Sequence, residues 1–252
     1  MYQSCPKCGH SRRPDDPTPE DQCPQCGLIY SKWLKSLVAD VNQPDPAGIR
    51  ASGSRRAGAL SEFFLPDKPA AGWPTLVAYG VILMALAWWG WYFIALDYQS
   101  NEIGRSFMHN INLVFHEAGH VIFIPLGRFM SIVGGSLFQV LLPLGLMLAF
   151  LLVNKDGFGA AVCLWWAGQS MMDLAPYIAD ARALRLPLLG GGTGADTPGM
   201  HDWANILRQL GLLQPDQAIA SAVDTAGAVV VVLALAWAGI LLGKYAAALR
   251  RQ

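Results

Sequence analysis

Charged residues are scarce in this chain. Asp, Glu, Lys and Arg together make up 14% of its 252 residues, whereas ordinary soluble domains carry about 25%. Hydrophobic residues reach 53%, so the composition excludes an ordinary soluble domain and favours a membrane protein. The formal net charge is zero, and net charge therefore indicates no nucleic-acid partner.

A secretory signal peptide is also missing, because the first 70 residues contain no apolar run of the required length. Residues 1–72 hold nine Lys or Arg and eight Asp or Glu, about half of all the charges in the chain. Without an export signal, cysteines in this part are expected to stay reduced in the cytoplasm.

Four of the five cysteines form two Cys-x-x-Cys pairs, in "CPKCGH" and "CPQCGL", separated by 14 residues. They are Cys5, Cys8, Cys23 and Cys26. Four thiolates at this spacing favour a structural zinc site, and the glycine after each second cysteine permits a tight turn. The alternatives are two disulfides or a redox pair. Residues 1–35 are therefore predicted to form a zinc ribbon, for which a protein partner is the expectation.

The rest of the chain is predicted to be a linker and a mainly α-helical membrane bundle. Residues 36–72 are rich in Pro, Gly, Ser and Arg, which is typical of a flexible linker. Residues 73–252 are predicted to form the membrane domain. Five apolar segments there are near the length of about 20 residues that crosses a bilayer. They are residues 73–96, 107–126, 131–153, 157–178 and 219–243.

The basic residues give conflicting indications of topology. Nine of them precede the first apolar segment, which favours a cytoplasmic N-terminal side. Lys244, Arg250 and Arg251 follow the last segment and favour the same side. Five crossings cannot satisfy both, so either one segment is re-entrant or one basic cluster misleads. The expected location is a bacterial inner membrane, with the zinc ribbon in the cytoplasm.

The second apolar segment contains "HEAGH", residues 116–120, which matches the H-E-x-x-H pattern. On a helix His116 and His120 lie four residues apart on one face, so both imidazoles can bind one metal ion. Glu117 beside them can act as a general base toward water that zinc activates. Ionisable residues in an apolar segment are costly, which makes a chance match less common. His109 and Asn112 extend the same polar stripe.

A hydrolytic zinc site needs a third protein ligand and one open position. The fourth apolar segment offers Asp173 and Asp180, which share a helical face with Gln169. His201, in "HDW", is a further candidate, although a residue at a loop or helix start is the simpler interpretation. The following "DWANILRQLGLL" predicts a short amphipathic helix with Asp202 as its N-cap.

These motifs resemble those of the site-2 protease family of intramembrane zinc metalloproteases. That family pairs H-E-x-x-H on one membrane helix with N-x-x-P-x-x-x-x-D-G on a later one, whose aspartate binds the zinc. Here the second motif reads Asp173, Pro176, Asp180 and Ala181, with Asp for Asn, a gap one residue shorter and Ala for Gly. The resemblance covers residues 107–182 and implies that Asp180 is the third ligand.

By this resemblance we expect an endopeptidase with one catalytic and one structural Zn²⁺. Its substrate would be a membrane-anchored protein, cut within or near its transmembrane helix. Two alternatives remain open. A non-enzymatic membrane metal-binding or transport protein could use the same histidines and aspartates, and an inactive scaffold could recruit partners through its ribbon.

Overall fold

The computed structural model describes residues 4–13, 15–35, 63–65 and 72–251. The chain divides into two compact units, Met1–Leu60 and Ser61–Gln252. Most of the predicted linker, residues 36–72, lies outside the described residues. The first unit carries the four cysteines and a short helix at residues 30–35.

The second unit is helical throughout its described residues, apart from turns and one isolated β-bridge. Between residues 72 and 251 it contains six α-helices, which are α1 (Trp73–Ala95), α2 (Phe107–Ile122), α3 (Arg128–Ala149), α4 (Gly157–Ala179), α5 (Asp202–Gln209) and α6 (Asp216–Leu249). Short 3₁₀ turns join α1 to α2 and α2 to α3, and a π-helical turn, Phe150–Asn154, extends α3. The mainly helical prediction is confirmed.

Three helices among the described residues are long and apolar enough to cross a membrane. They are Trp73–Ala95, Arg128–Asn154 and Asp216–Leu249. The predicted count of five spans is not confirmed. Helix α2 has only 16 residues, about 24 Å at 1.5 Å per residue, which is short of the roughly 30 Å hydrocarbon core. Helix α4 is long enough, but buried polar residues interrupt its apolar character.

The longest helix, α6, runs antiparallel to both α1 and α4. Helix α6 reverses the direction of α1, since Leu76 packs with Leu241 and Tyr245, whereas Gly90 of α1 lies beside Val231. Helix α6 is also antiparallel to α4. Residues early in α4 pack against the C-terminal half of α6, and its C-terminal residues pack against the beginning of α6.

Helices α4 and α6 approach each other closely where two glycines meet. A Cβ added to Gly168 would lie 2.8 Å from the carbonyl oxygen of Gly227, and one added to Gly227 would lie 2.6 Å from that of Gly168. Only residues without a side chain allow this contact, which brings the two backbones together as in other membrane helix pairs.

This packing gives the bundle two ends that we name by their residues. The basal end holds the beginning of α1 and the end of α6, where Trp237 and Lys244 donate hydrogen bonds to the carbonyls of Phe64 and Leu65. The apical end holds the end of α4, helix α5 and the beginning of α6. There Arg182 forms an ion pair with the buried Asp216, at 2.7 Å.

Candidate metal centres

The four predicted zinc ligands of the N-terminal unit converge. The Sγ atoms of Cys5 and Cys26 are 3.7 Å apart, as are those of Cys8 and Cys23, and all four lie within 4.8 Å of one another. A tetrahedral zinc with Zn–S bonds of about 2.3 Å requires an edge of about 3.8 Å between sulfurs. The separation is far longer than a disulfide bond, so the group is one that can hold a metal.

Each cysteine pair sits in a tight turn closed by its glycine. The N–H groups of Gly9 and Gly27 donate to the carbonyls of Cys5 and Cys23 at 2.9 Å. Both glycines have a positive φ, 74° and 71°, which residues with a Cβ rarely adopt. The glycine that follows each second cysteine therefore has the role that the sequence predicts for it.

The two imidazoles of the H-E-x-x-H sequence are held by partners that fix their orientation. His116 Nδ1 lies 2.9 Å from Gln139 Oε1, and the amide nitrogen of Gln139 donates to the carbonyl of Ser170. His120 Nδ1 lies 2.8 Å from the carbonyl oxygen of Ser131. Both oxygens can only accept, so each Nδ1 carries the proton and each Nε2 points away from these partners.

The two Nε2 atoms point to the carboxylate of Asp202. Its Oδ2 lies 3.1 Å from His116 Nε2 and 3.2 Å from His120 Nε2. Burial would raise the pKa of the Asp202 carboxyl, but the two imidazoles, when protonated on Nε2 as well, donate to it and lower the pKa to about 2. The three residues form the second group among the described residues whose donor atoms all lie within 4.8 Å of one another.

Asp202 is held in place by the beginning of helix α5. The residue is the first of the helix, and the N-cap is His201, whose Nδ1 accepts the N–H of Ala204. The prediction of Asp202 as the N-cap is therefore wrong by one residue. The hydroxyl of Tyr177 on α4 accepts the N–H of Asp202 at 3.0 Å, and its ring lies 4.2 Å from the ring of His201.

Asp180, which the resemblance implies as third ligand, lies elsewhere. Its two carboxylate oxygens accept the N–H groups of Arg185 and Leu186, both at 2.9 Å, and Oδ2 lies 3.3 Å from His201 Nε2. Burial raises the pKa of Asp180, whereas His201 and the two backbone N–H groups outweigh it and lower the pKa. Asp180 thus organises the turn after α4 and supports His201, and Asp202 takes the place beside the histidines.

Asp173 also stays away from the imidazole pair. Its Oδ1 lies 3.0 Å from His109 Nδ1, and its Oδ2 accepts the side-chain amide of Asn112 at 3.1 Å. Asn112 is buried and also bonds Gln169 and Ser170. His109 and Asn112 therefore face the bundle interior, but they belong to a polar network beside the metal-binding group.

Gly135 leaves room for the two imidazoles. A Cβ at this position would lie 2.6 Å from His120 Nε2 and 2.7 Å from His116 Nε2, closer than side-chain atoms pack. The nearby Gly119 and Gly134 let α2 and α3 approach, since a Cβ on either would lie within 3 Å of the other's carbonyl oxygen. These glycines place the H-E-x-x-H turn directly against α3.

A cavity of about 860 Å³ opens onto this group. Its lining includes His109, Glu117, Asp173, Tyr177 and the three metal-capable side chains. The loop after α4 contributes a further wall, residues 186–191. Glu117 is exposed, so its carboxylate can meet water and a bound substrate beside the donor atoms.

The donor set fits a cation. Each imidazole has its proton on Nδ1, so both Nε2 lone pairs face Asp202 Oδ2, at 3.1 and 3.2 Å, and all three atoms are acceptors. Three acceptors in contact repel unless a cation lies among them or the rings carry extra protons. Two imidazoles and a carboxylate are the ligand types of catalytic zinc.

Sequence reasoning misses Asp202 as a candidate ligand and predicts it only as a helix cap. The residue is 86 positions from His116, and no fixed spacing connects the two motifs. Comparison with known proteins finds no family model that matches the chain, and no similar curated protein or solved structure. The resemblance to site-2 proteases therefore stays a prediction.

Proposed function

We propose that the chain is a membrane-embedded zinc endopeptidase of the site-2 protease type that cuts membrane-anchored proteins. The observation that supports it best is the convergence of His116, His120 and Asp202 on one point, with Glu117 on the wall of the same cavity. Two imidazoles, a carboxylate and access for a fourth ligand are typical of hydrolytic zinc sites. The proposed location is a bacterial inner membrane with the ribbon on the cytoplasmic side.

Zn²⁺ bound to these three residues would supply Lewis-acid chemistry, polarising the scissile carbonyl and lowering the pKa of water. Glu117 accepts a proton from water while the water oxygen attacks the carbonyl carbon. It then returns that proton to the amide nitrogen as the C–N bond breaks, so that one water is consumed and two chain ends form. Gln139 and Ser131 keep both imidazoles in the tautomer that leaves Nε2 free.

The decisive variant is Glu117→Gln. It keeps the size of the side chain and removes the base, so it should retain two zinc ions per chain and lose cleavage by about 10² to 10⁴-fold. Membranes from cells that express the wild type or this variant would be compared by sequencing of new protein N-termini. Zinc per purified chain serves as the control for folding. Equal sets of N-termini in the two membranes would refute the protease proposal.

A metal transport function is the second candidate, because a polar network runs through the bundle interior beside the metal-binding group. Its members are His109, Asn112, Gln169, Ser170 and Asp173. Transport does not require a general base. Zinc uptake into vesicles that survives Glu117→Gln and fails in Asp173→Ala would favour transport, whereas an inactive scaffold would show neither uptake nor cleavage.

A further inference from the structure

The metal-binding group lies far from the charged residues at the basal end of the bundle. Helix α6 has no charged residue between Asp224 and Lys244, a rise of about 30 Å at 1.5 Å per residue, which equals the thickness of the hydrocarbon core. Asp224 and Lys244 thus mark the two boundaries on this helix. Lys155, in the turn between α3 and α4, lies toward the same end as Lys244, because α3 and α4 both have their adjoining ends there.

Helix α4 gives an independent measure of depth. Tyr177, which accepts the N–H of Asp202, lies 20 residues after Gly157, again a rise of about 30 Å. Its neighbour Ile178 packs in one cluster with Ala220, which precedes Asp224 by one helical turn. Both helices therefore place Asp202 near the apical boundary of the hydrocarbon. His116 extends inward from there, beside Gln139, whose amide donates to the carbonyl of Ser170.

The position of α2 in the bundle resolves the conflict between the two basic clusters. Helix α2 packs antiparallel to α3, through His120 beside Ser131 and His116 beside Gln139. Helix α1 ends and α3 begins at the apical end, so α2, which lies between them in the chain, adds no crossing. Helix α4 runs the length of the bundle beside α6. Together with the three apolar helices α1, α3 and α6 it makes four traverses, an even number, which puts the beginning of α1 and the end of α6 at one end. Both clusters then satisfy the positive-inside rule.

We propose that the metal site opens at the membrane–water interface on the side opposite the beginning of α1 and the end of α6. This placement rests on the proposed function and specifies its substrate, which is the extended juxtamembrane segment of a membrane-anchored protein on that side. At the interface water can bond an unwound backbone, whereas in mid-bilayer every backbone group of a substrate must stay paired. The exposed apolar side chains of Leu189 and Met200, on the loop that lines the cavity, suit such a segment.

Cysteine labelling tests the placement without any need for catalysis. Leu210→Cys marks the apical end and Arg251→Cys the basal end, both at exposed positions. Each change is made in a Cys163→Ala parent that keeps the ribbon cysteines, and the labelling of this parent is subtracted. A membrane-impermeant maleimide is applied to right-side-out and inside-out vesicles. We expect the two positions to react in opposite vesicle types, each by at least about tenfold over the other type. Labelling of both positions from one side would overturn the proposal.

The substrate class has its own readout. The N-termini that depend on Glu117 should map within a few residues of a span boundary, on the side where position 210 reacts. Cut sites in the middle of spans, or on the side where position 251 reacts, would overturn the assignment. If no such N-termini occur, the protease proposal fails, and the labelling result still decides where the metal site opens.

Discussion

Gly135 is the residue whose replacement tests the metal centre most directly. Alanine would place a Cβ 2.6 Å from His120 Nε2 and 2.7 Å from His116 Nε2, whereas ordinary van der Waals contact needs about 3.4 Å or more. One or both rings must therefore shift by about 0.7 Å. Metal–ligand distances tolerate only about ±0.2 Å, so Gly135→Ala should weaken zinc binding at this centre by more than about 100-fold, beyond the usual effect of changing an outer partner.

The helix itself should not suffer from this change. Alanine in the middle of a helix is favoured over glycine by about 0.8–1.0 kcal/mol, so loss of metal cannot be attributed to weaker α3. The same helix supplies a matched control in Gly145, beside which a Cβ would find no atom within 4 Å. Gly145→Ala should behave as the wild type does.

Zinc per purified chain, measured after dialysis against a weak chelator, is the assay. The ribbon zinc is an internal standard, because the change lies in the other unit. We expect two zinc ions in the wild type and in Gly145→Ala, and one in Gly135→Ala. Two tightly bound ions in Gly135→Ala would refute the assignment of the imidazole pair as ligands.

Two further predictions follow from contacts outside the imidazole pair. Asp202→Ala should lose the second zinc even at saturating metal. Asp180→Ala should keep two zinc ions at saturation, with an affinity about 10–100-fold lower, because Asp180 only supports His201 and its turn. Zinc titration separates the two variants, and the reverse result would restore Asp180 as the ligand. Gly227→Ala should lower the free energy of unfolding by about 1–3 kcal/mol, because its Cβ would contact Gly168 and Met172. Gly239→Ala should leave stability unchanged, because a Cβ there would find no atom within 4 Å. Chemical unfolding in detergent measures both variants, and equal stabilities would contradict the packing argument.

Local patterns sufficed where the chemistry is local. The ribbon ligands lie within 22 residues of sequence, and the tight turns need glycine, so spacing alone identifies the cysteine group. The H-E-x-x-H pair depends only on helical periodicity, which places residues four apart on one face. The long apolar helices α1, α3 and α6 follow from length and hydropathy. Each of these predictions uses only short-range information in the sequence.

The third donor could not be predicted in this way, because its position depends on how a loop returns to the bundle. The sequence places Asp173 and Asp180 on one helical face. In the structure the carboxylate of Asp173 bonds His109 and Asn112, and that of Asp180 bonds the backbone of its own turn. The satisfied hydrogen bonds remove both carboxylates from the metal centre, which no periodicity reveals.

The turn that bonds the Asp180 carboxylate also leads to the position of Asp202 beside the histidines. Asp180 lies beside His201, His201 caps α5, and that cap makes Asp202 the first residue of the helix, where Tyr177 holds its N–H. A carboxylate at the N-terminus of a helix is stabilised by the helix dipole, which helps to keep Asp202 charged as a ligand. The resemblance to site-2 proteases covers residues 107–182 and therefore ends before Asp202, the carboxylate that lies beside the imidazoles. It implies Asp180 as the ligand, because sequence spacing does not distinguish a carboxylate that faces a donor group from one that bonds the backbone of its own turn.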